Sequence, residues 1–144
     1  MSEPILALYL GDWAEMREQV QPIRIEVFVV EQGIDPELEW DEADSLSLHC
    51  LARLGTDPVG TGRLLPDGHI GRMAVRRSAR RSGVGSAILK ALLQAAVERG
   101  DSVVELSAQR YVEDFYRRHG FGAEGPPYQE AGIEHIRMRR SLQT

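Results

Sequence analysis

The stretch from Gly71 to Arg99 limits the folds open to this chain more than any other part of the sequence. It begins with the strand-like run GRMAV, passes through the basic, glycine-containing loop RRSGVGS and ends in a long segment with an apolar stripe. The stripe recurs at helical spacing and predicts a helix over Val84–Arg99, which Gly100 ends. A strand that leads through a short loop into a helix predicts a mixed α/β domain.

Short periodic runs separated by turn residues predict the other strands. Strands are expected at residues 5–10, 47–54, 59–65, 69–76 and 102–107, and two more after Phe121 on either side of the turn region EGPPYQEAG. The strands between residues 47 and 76 are expected to form an antiparallel meander. The resulting order of elements is β-α-α-β-β-β-α-β-α-β-β.

Two further helical regions are predicted, one before and one after this stretch. A capping-box pattern at Asp12 and Glu15 predicts a helix from Trp13. Pro22 is expected to end this helix or to open a second one, because proline suits a first helical turn and not an interior. The second helix would contain the apolar residues Ile23, Val27 and Val30. A short helix is expected over Tyr111–His119.

Composition narrows the class of protein and its partners. A length of 144 residues suits one domain over residues 1–144, and 42% hydrophobic with 27% charged residues is ordinary for a soluble protein. The net charge of −5 argues against general nucleic-acid binding, and the lack of a long apolar run argues against a membrane span. A single cysteine, Cys50, and an N-terminus without a basic region predict a cytoplasmic protein without an internal disulfide. No metal site is predicted.

The loop RRSGVGS has the features of a phosphate cradle. Gly83 and Gly85 allow close approach to the backbone, and the first turn of the next helix supplies free N–H groups. Arg80 and Arg81 add positive charge. The other interpretation is an ordinary loop with solvated arginines, and these residues alone leave both open. The P-loop and dinucleotide motifs do not fit, because no lysine follows Gly85 and Ile88 stands in place of a third glycine.

Several ordered runs resemble one family of transferases. The spacing R-x-x-G-x-G, at Arg80, Gly83 and Gly85, resembles the acetyl-CoA-binding signature of the GCN5-related N-acetyltransferase (GNAT) superfamily. The runs FVVEQGIDPELEWDEAD, PVGTGRLL and QEAGIEHIRM resemble its ElaA-like bacterial branch. Gln109 followed by FYRRHGF resembles the second coenzyme-binding motif, although many relatives carry asparagine in place of this glutamine. The resemblance covers nearly the whole chain.

The resemblance implies a fold and an activity. The implied fold is a single domain with a mostly antiparallel mixed sheet, a parallel pair of fourth and fifth strands that splays at the coenzyme site, and helices on both faces. The implied activity is transfer of an acetyl group from acetyl-CoA to a primary amine by direct attack in a ternary complex. The sequence leaves open whether the acceptor is a small molecule or a peptide, and whether the protein forms a homodimer.

Two other functions are compatible with the same fold. One is a coenzyme A sensor that binds without turnover, and the other is a protein-interaction domain that does not bind coenzyme A. The presence of Tyr116 weighs against the first, and the glycine-containing loop weighs against the second.

The resemblance also implies coenzyme contacts. Backbone amides of residues 81–86 would hold the pyrophosphate, with Arg80 at the arginine position of the motif. The backbone of residues 73–75 would pair with the pantetheine arm, and an amide there would polarise the thioester carbonyl. The full set is Met73, Ala74, Val75, Arg80, Arg81, Ser82, Gly83, Val84, Gly85, Ser86, Gln109, Phe115 and Tyr116.

Tyr116 matches the tyrosine of the second motif, and the resemblance implies that it is a general acid. A phenol with the ordinary pKa of about 10 is protonated at neutral pH and can donate to the leaving sulfur. The spacing by itself favours a core aromatic, because Val112, Phe115 and His119 lie near Tyr116 on a helix.

The group that accepts a proton from the amine is not selected by any spacing rule. The candidates are Glu31, Asp44, His49, Glu105 and His135, and water is an equal alternative. The run IDPELEWDEAD over Ile34–Asp44 holds six acidic residues and is expected to be an ordered loop. It can attract a cationic amine, or it can be a solvated loop without a role in binding.

Overall fold

Seven strands and three α-helices form the part of the chain, residues 4–142, that the computed structural model describes. The strands are β1 (Leu6–Gly11), β2 (Leu48–Leu54), β3 (Asp57–Leu64), β4 (Ile70–Val75), β5 (Val103–Gln109), β6 (Gly122–Glu130) and β7 (Ile133–Ser141). The helices are α1 (Trp13–Arg24), α2 (Val84–Arg99) and α3 (Glu113–Arg118). None of the described helices is long and apolar enough to cross a membrane.

The first helix begins where the sequence predicts and continues further than expected. Asp12 Oδ1 accepts the N–H of Glu15 at 2.9 Å, and the Glu15 side chain accepts the N–H of Asp12, which completes the capping box. The expectation that Pro22 ends the helix or opens another is wrong. Pro22 lies inside α1, and the chain continues as a π-helical segment over Ile25–Glu31. Pro22 has no backbone N–H to donate, but burial of Ile23 against the sheet stabilises the helix at this point.

The strands form two antiparallel sheets that touch at one point. The first sheet has the order β1-β2-β3-β4 and the second has the order β5-β7-β6. Between them lies one parallel bridge, from His69 to Glu105, where the N–H of Glu105 donates to the carbonyl of Gly68 at 3.1 Å. The described parts of β4 and β5 share no further ladder, so the predicted parallel pair is reduced to this bridge. The gap beyond it contains the candidate site.

Helices cover both faces of the first sheet, as the family resemblance implies. Neighbouring residues of β2 point to opposite faces, so that Cys50 packs in the core with α2 and Leu51 packs with α1. The close approach of α2 depends on glycine in β3. A β-carbon at Gly60 would lie 2.8 Å from Ile88 Cδ1 and 3.0 Å from Val84 Cγ1. Glycine here therefore allows the first turn of α2 to lie against β3.

The hairpin of β6 and β7 has a shorter turn than the sequence predicts. The run EGPPYQEAG is expected to be a turn region, but β6 continues to Glu130 and only Ala131 and Gly132 form the turn. Their φ angles of 52° and 76° are typical of a two-residue type I′ hairpin turn. The two prolines of the run fit because β6 is an edge strand with an irregular register at that point.

Candidate active site

A bulge in β4 marks the gap between the two sheets. Arg72 and Met73 together face one residue of β3, Gly62, where the register shifts. Arg72 has a φ of 49°, a left-handed conformation that is uncommon outside glycine. Its Nε donates to the backbone carbonyl of Glu39 at 3.1 Å and so ties the bulge to the neighbouring loop. Because β4 is an edge strand, residues 73–75 have no ladder partner on their outer side within the described chain.

A cavity of about 480 Å³ occupies the gap between β4 and β5. Its walls come from these two strands, the acidic run over Ile34–Asp44, α3 and the β6–β7 hairpin. Four predicted site residues that are far apart in the sequence line this cavity, namely Met73, Gln109, Tyr116 and His135. Apolar side chains such as those of Phe28, Ile70 and Leu106 line much of the rest. The volume lies in the range of small-molecule sites.

The glycine-containing loop leaves free donors at the start of α2. Gly83 is the N-cap residue, and its φ of 84° is left-handed and favours glycine. The first helical hydrogen bond runs from the N–H of Ala87 to the carbonyl of Gly83 at 3.0 Å. The N–H groups of Val84, Gly85 and Ser86 therefore have no acceptor within the helix. Such donors at the positive end of a helix dipole form an anion site.

Gly85 is required neither by packing nor by its backbone conformation. A β-carbon there would meet Phe115 Cζ at 3.6 Å and Val75 Cγ2 at 3.8 Å, which are ordinary van der Waals distances. The protein therefore has room for alanine at this position. The missing side chain instead leaves the helix amides open to a ligand, as a phosphate cradle requires.

Two predicted site residues near this loop contact each other. Arg80 Nη2 lies 2.8 Å from Glu31 Oε1, and Arg80 Nε donates to the carbonyl of Val75 at 2.9 Å. Arg77 lies 3.7 Å from the other oxygen of the same carboxylate. Glu31 thus faces two guanidinium groups and does not line the cavity. Arg81, the other arginine of the loop, is exposed with a φ of 65°.

Tyr116 is both a core aromatic and a residue of the cavity wall. Its ring packs edge-on against Phe115 and Phe121, with centroids 5.1 and 5.9 Å away, and it is 8% exposed. Burial, with a smaller contribution from Tyr111, raises the pKa of Tyr116 to about 12. The phenol therefore keeps its proton throughout the neutral range. The packing confirms the core aromatic, and the role of Tyr116 as a general acid stays a prediction.

His135 is the predicted proton acceptor that the fold brings to the cavity. Its Nδ1 lies 2.7 Å from the carbonyl oxygen of Ile133, which can only accept, so Nδ1–H is the donor. The lone pair of the neutral ring is then on Nε2, which lies 3.5 Å from Glu130 Oε2. Glu130 also lines the cavity. Sequence reasoning missed it, since only the short hairpin turn reveals its closeness to His135.

The remaining predicted proton acceptors do not line the cavity. Asp44 is fully buried, and although burial opposes its charged form, two arginines outweigh this effect and lower the pKa of Asp44 to about 2. His49 is also fully buried, its Nε2 lies 2.9 Å from the carbonyl of Asp44, and burial lowers the pKa of His49. Glu105 contacts His69 Nε2 at 3.3 Å beside the bridge between the sheets.

A group of paired charges, which is buried at its centre and partly exposed at Arg72 and Asp41, supports the cavity wall beside β4. The sequence pattern did not reveal it. We call it the charge cluster, and its members are Arg24, Arg63, Arg72, Glu39, Asp41 and Asp44. Arg24 contacts the two oxygens of Asp44 at 2.8 and 2.9 Å, and Arg63 reaches the same carboxylate at 2.8 Å. Arg72 lies 3.2 Å from Asp41. These arginines neutralise much of the acidic run, which weakens the expectation that it attracts a cationic amine.

The sequence held one signal for this cluster. Arg24 follows Val20 by four residues and precedes Val27 by three, so it occupies a position of the buried helical stripe. A charged residue at such a position is buried only with partners. Nothing in the sequence identifies those partners, because they come from a loop and from β3.

Gln109 is used in a contact that links two parts of the fold. Its Nε2 donates to Gln32 Oε1 at 2.9 Å, and Gln32 Nε2 lies 3.3 Å from the hydroxyl of Tyr111. Gln32 follows the π-helical segment, whereas Gln109 ends β5. The glutamine that departs from the asparagine of many relatives thus joins the helical layer to the second sheet beside the cavity.

Comparison with known proteins decides the family. Residues 15–142 match the family described as "Acetyltransferase (GNAT) domain". The chain belongs to the GNAT acetyltransferase family. YjcF of Bacillus subtilis, described as an uncharacterized N-acetyltransferase, is 39% identical over 122 residues, which cover 82% of this chain and 87% of YjcF.

Solved structures share the architecture of this GNAT chain. An acyl-CoA N-acyltransferase from Pseudomonas aeruginosa is similar with a TM-score of 0.84 and 34% identity, over 94% of this chain and 99% of that one. Escherichia coli ElaA is similar with a TM-score of 0.84 and 27% identity over the same shares. These likenesses confirm the resemblance inferred from the sequence and the mixed α/β fold.

Proposed function

We propose that this GNAT protein is an acetyl-CoA-dependent N-acetyltransferase, one domain over residues 1–144, that acetylates a primary amine by direct attack in a ternary complex. The observation that carries the proposal is the cavity between β4 and β5, where Tyr116 and His135 line one space beside the free edge of β4. One residue holds a proton and the other can accept one, and acetylation of an amine removes a proton from the amine and is assisted by a donor to the leaving sulfur. The similarity to the Pseudomonas aeruginosa acyl-CoA N-acyltransferase supports the donor.

The residues present fit acetyl-CoA. The first-turn amides of α2 suit the pyrophosphate, and Gly85 leaves them open although packing does not require glycine there. The unpaired edge of residues 73–75 suits an extended arm that adds to the sheet like a strand. Arg80, which is held by Glu31 and Val75, keeps the loop in place. When bound, acetyl-CoA supplies an activated acetyl thioester.

Tyr116 assists departure of the sulfur by donating from its hydroxyl. Because burial raises the pKa of Tyr116 to about 12, its proton is held more tightly than the proton of a thiol, whose ordinary pKa is about 8.5. Tyr116 therefore stabilises developing negative charge mainly as a hydrogen-bond donor. This role needs the hydroxyl and a water-poor setting, and Tyr116 is 8% exposed.

His135 accepts the proton of the amine at Nε2. Its Nδ1–H is held by the carbonyl of Ile133 at 2.7 Å, which leaves the lone pair on the other nitrogen. Glu31, Asp44, His49 and Glu105 do not line the cavity. The proposal covers small-molecule and peptide amines alike.

Thermal unfolding with and without millimolar acetyl-CoA tests the donor. We expect acetyl-CoA to raise Tm and Gly85→Glu to abolish the shift, because a carboxylate would occupy the anion site. Gly122→Glu, on β6 outside the cavity and with open space around its β-carbon, is the matched control and should keep the shift. Absence of any shift with the unaltered protein would overturn the assignment.

Thiol release over a panel of amines tests turnover. Tyr116→Phe keeps the packed ring and should lower kcat about 100-fold, with little change in coenzyme affinity. Unchanged turnover would remove the role of the hydroxyl. Binding of acetyl-CoA without release of thiol for any amine would favour a coenzyme A sensor.

A further inference from the structure

We infer that Glu130 is a positioning residue that acts through His135 by stabilising its imidazolium form, so that the two act as a carboxylate–histidine pair at the cavity. The inference rests on the proposed function, because it concerns the acceptor side of the same site. Glu130 lies within the run QEAGIEHIRM that resembles the family, but the resemblance gave it no role.

The direction of the His135 ring is determined by two contacts. The Ile133 carbonyl accepts from Nδ1 at 2.7 Å, and the ring of Tyr128 stacks on the imidazole with 6.1 Å between centroids and 26° between planes. Together they leave Nε2 as the nitrogen that lies 3.5 Å from Glu130 Oε2. The protonation chemistry of His135 therefore takes place at the nitrogen beside the carboxylate.

His135 Nε2 and Glu130 Oε2 are 3.5 Å apart, so the carboxylate is close enough to receive a hydrogen bond once Nε2 is protonated. A carboxylate has no proton to donate, so the lone pair of neutral Nε2 is unclaimed. After protonation, Nε2–H can donate to Glu130, and a charge-assisted hydrogen bond is stronger than a neutral one. In the proposed step the N–H bond of the acceptor breaks, the Nε2–H bond of His135 forms, and the imidazolium then returns its proton to water.

The buried His135 side chain lies beside the half-exposed Glu130 side chain, so the proton on Nε2 has a path to water. The side chain of His135 is 7% exposed, whereas that of Glu130 is 54% exposed. Glu130 has no arginine or lysine partner among residues 4–142. By contrast, Glu134 lies 3.6 Å from Arg110. The charge of Glu130 is therefore available to the imidazole.

The hairpin explains why the pair meets. Glu130 lies directly opposite Ile133 across the two-residue turn, and Tyr128 lies opposite His135 in the same ladder. On the other side of β7, the partner of His135 is Gln109, which carries no charge. The titratable groups next to the imidazole are Glu130 and Tyr128 from β6 and Glu134 beside it on β7. The other walls of the cavity add Tyr116, Glu39, Asp41 and Arg72.

The pH dependence of kcat/KM tests the inference. Glu130→Gln should lower kcat/KM about tenfold near neutral pH and move the acidic limb of the profile to lower pH, because the imidazolium loses its stabilising charge. Glu130→Asp should restore part of the activity. The matched control is Glu124→Gln, since Glu124 lies 3.6 Å from Arg139 across the same two strands, with 47% exposure, outside the cavity. A Glu130→Gln profile that matches the unaltered protein would overturn the inference.

Nitrogen-15 NMR of the histidine rings gives a readout that needs no acetyl transfer. The chain has four histidines. We expect neutral His135 to carry its proton on Nδ1, and we expect Glu130→Gln, but not Glu124→Gln, to shift the Nε2 resonance of the protonated ring, because Nε2–H loses its carboxylate acceptor. A proton on Nε2 would overturn the inference. If the coupling is present but no amine is acetylated, the Glu130–His135 pairing stands, and its role in proton transfer falls with the proposed function. If an amine is acetylated without the coupling, the proposed function stands and this inference falls.

Discussion

The charge cluster and the Glu130–His135 pair both border the cavity, yet they use carboxylates in opposite ways. In the cluster, Asp44 is fully buried and faces two guanidinium groups. In the pair, a half-exposed carboxylate faces a single imidazole at 3.5 Å. The difference teaches that a carboxylate paired with buried arginines holds a wall in place, whereas a carboxylate without an arginine or lysine partner keeps a charge that a neighbouring imidazole can use.

The comparison also shows how the density of acidic residues misleads. The run over Ile34–Asp44 holds six acids and draws attention as a binding surface, but three of its carboxylates belong to the charge cluster. Glu130 lies in a run of mixed composition that does not indicate a binding surface. Partners across the fold therefore decide which acid is free.

The largest expected effect comes from breaking the charge cluster. Asp44→Asn should lower the free energy of unfolding by about 3–5 kcal/mol, because Arg24 and Arg63 would keep buried positive charge without full compensation. Urea unfolding measures the loss. Asp57→Asn is the control, since this 66% exposed carboxylate lies 3.8 Å from Arg76 and should change stability by less than about 0.5 kcal/mol. Equal effects of both substitutions would contradict the comparison.

Acid should destabilise the protein through the same cluster. The pKa of Asp44 is about 2 in the folded state against an ordinary 3.8, so its contribution is present above pH 4 and is lost as the pH falls towards 2. At about 1.4 kcal/mol per pKa unit, this contribution is about 2.5 kcal/mol. Urea unfolding at a series of pH values measures it. A stability that is constant from pH 4 to pH 2 would contradict this expectation.

A smaller effect is expected at the hairpin turn. Ala131 has a φ of 52°, which costs a non-glycine residue about 1 kcal/mol, and Gly132 follows it. Ala131→Asn gives the Asn-Gly pair that type I′ turns favour and should raise the free energy of unfolding by up to about 1 kcal/mol. The measurement is the urea midpoint at constant slope. A loss of stability in Ala131→Asn would contradict the assignment of a type I′ turn.

The smallest effect is expected from removing the charge of the pair. Glu130→Gln should change the free energy of unfolding by less than about 0.5 kcal/mol, because a half-exposed ion pair contributes little to stability. The same substitution is expected to lower kcat/KM about tenfold, as argued above. A large loss of stability with a proportional loss of activity would mean that the pair is structural, like the charge cluster.

Local signals predicted the elements well. The capping box at Asp12, the helix over Val84–Arg99 and its end at Gly100 lie where the sequence places them, because caps and stripes depend on near neighbours. The predictions at Pro22 and at the run EGPPYQEAG were wrong because tertiary contacts overrode the local preferences of proline. Packing against the sheet and an edge position let prolines stand where local rules argue against them.

The candidate site was predictable in parts. The glycine-containing loop and Tyr116 belong to motifs with fixed spacing, so they could be found from the sequence. No spacing distinguished His135 from His49, although one lines the cavity and the other is fully buried. That distinction depends on which face of which strand borders the gap.

The sequence by itself determined the family, the order of most elements and the coenzyme-side motifs, because these depend on residues close together in the chain. Only the tertiary structure decided which carboxylates are neutralised, which histidine reaches the cavity and that Glu130 stands beside it. The physical reason is that burial and charge pairing are properties of contacts between distant residues. A carboxylate has the same chemistry in the sequence everywhere, and its partners in the fold determine whether its charge is neutralised in a wall or left beside the cavity.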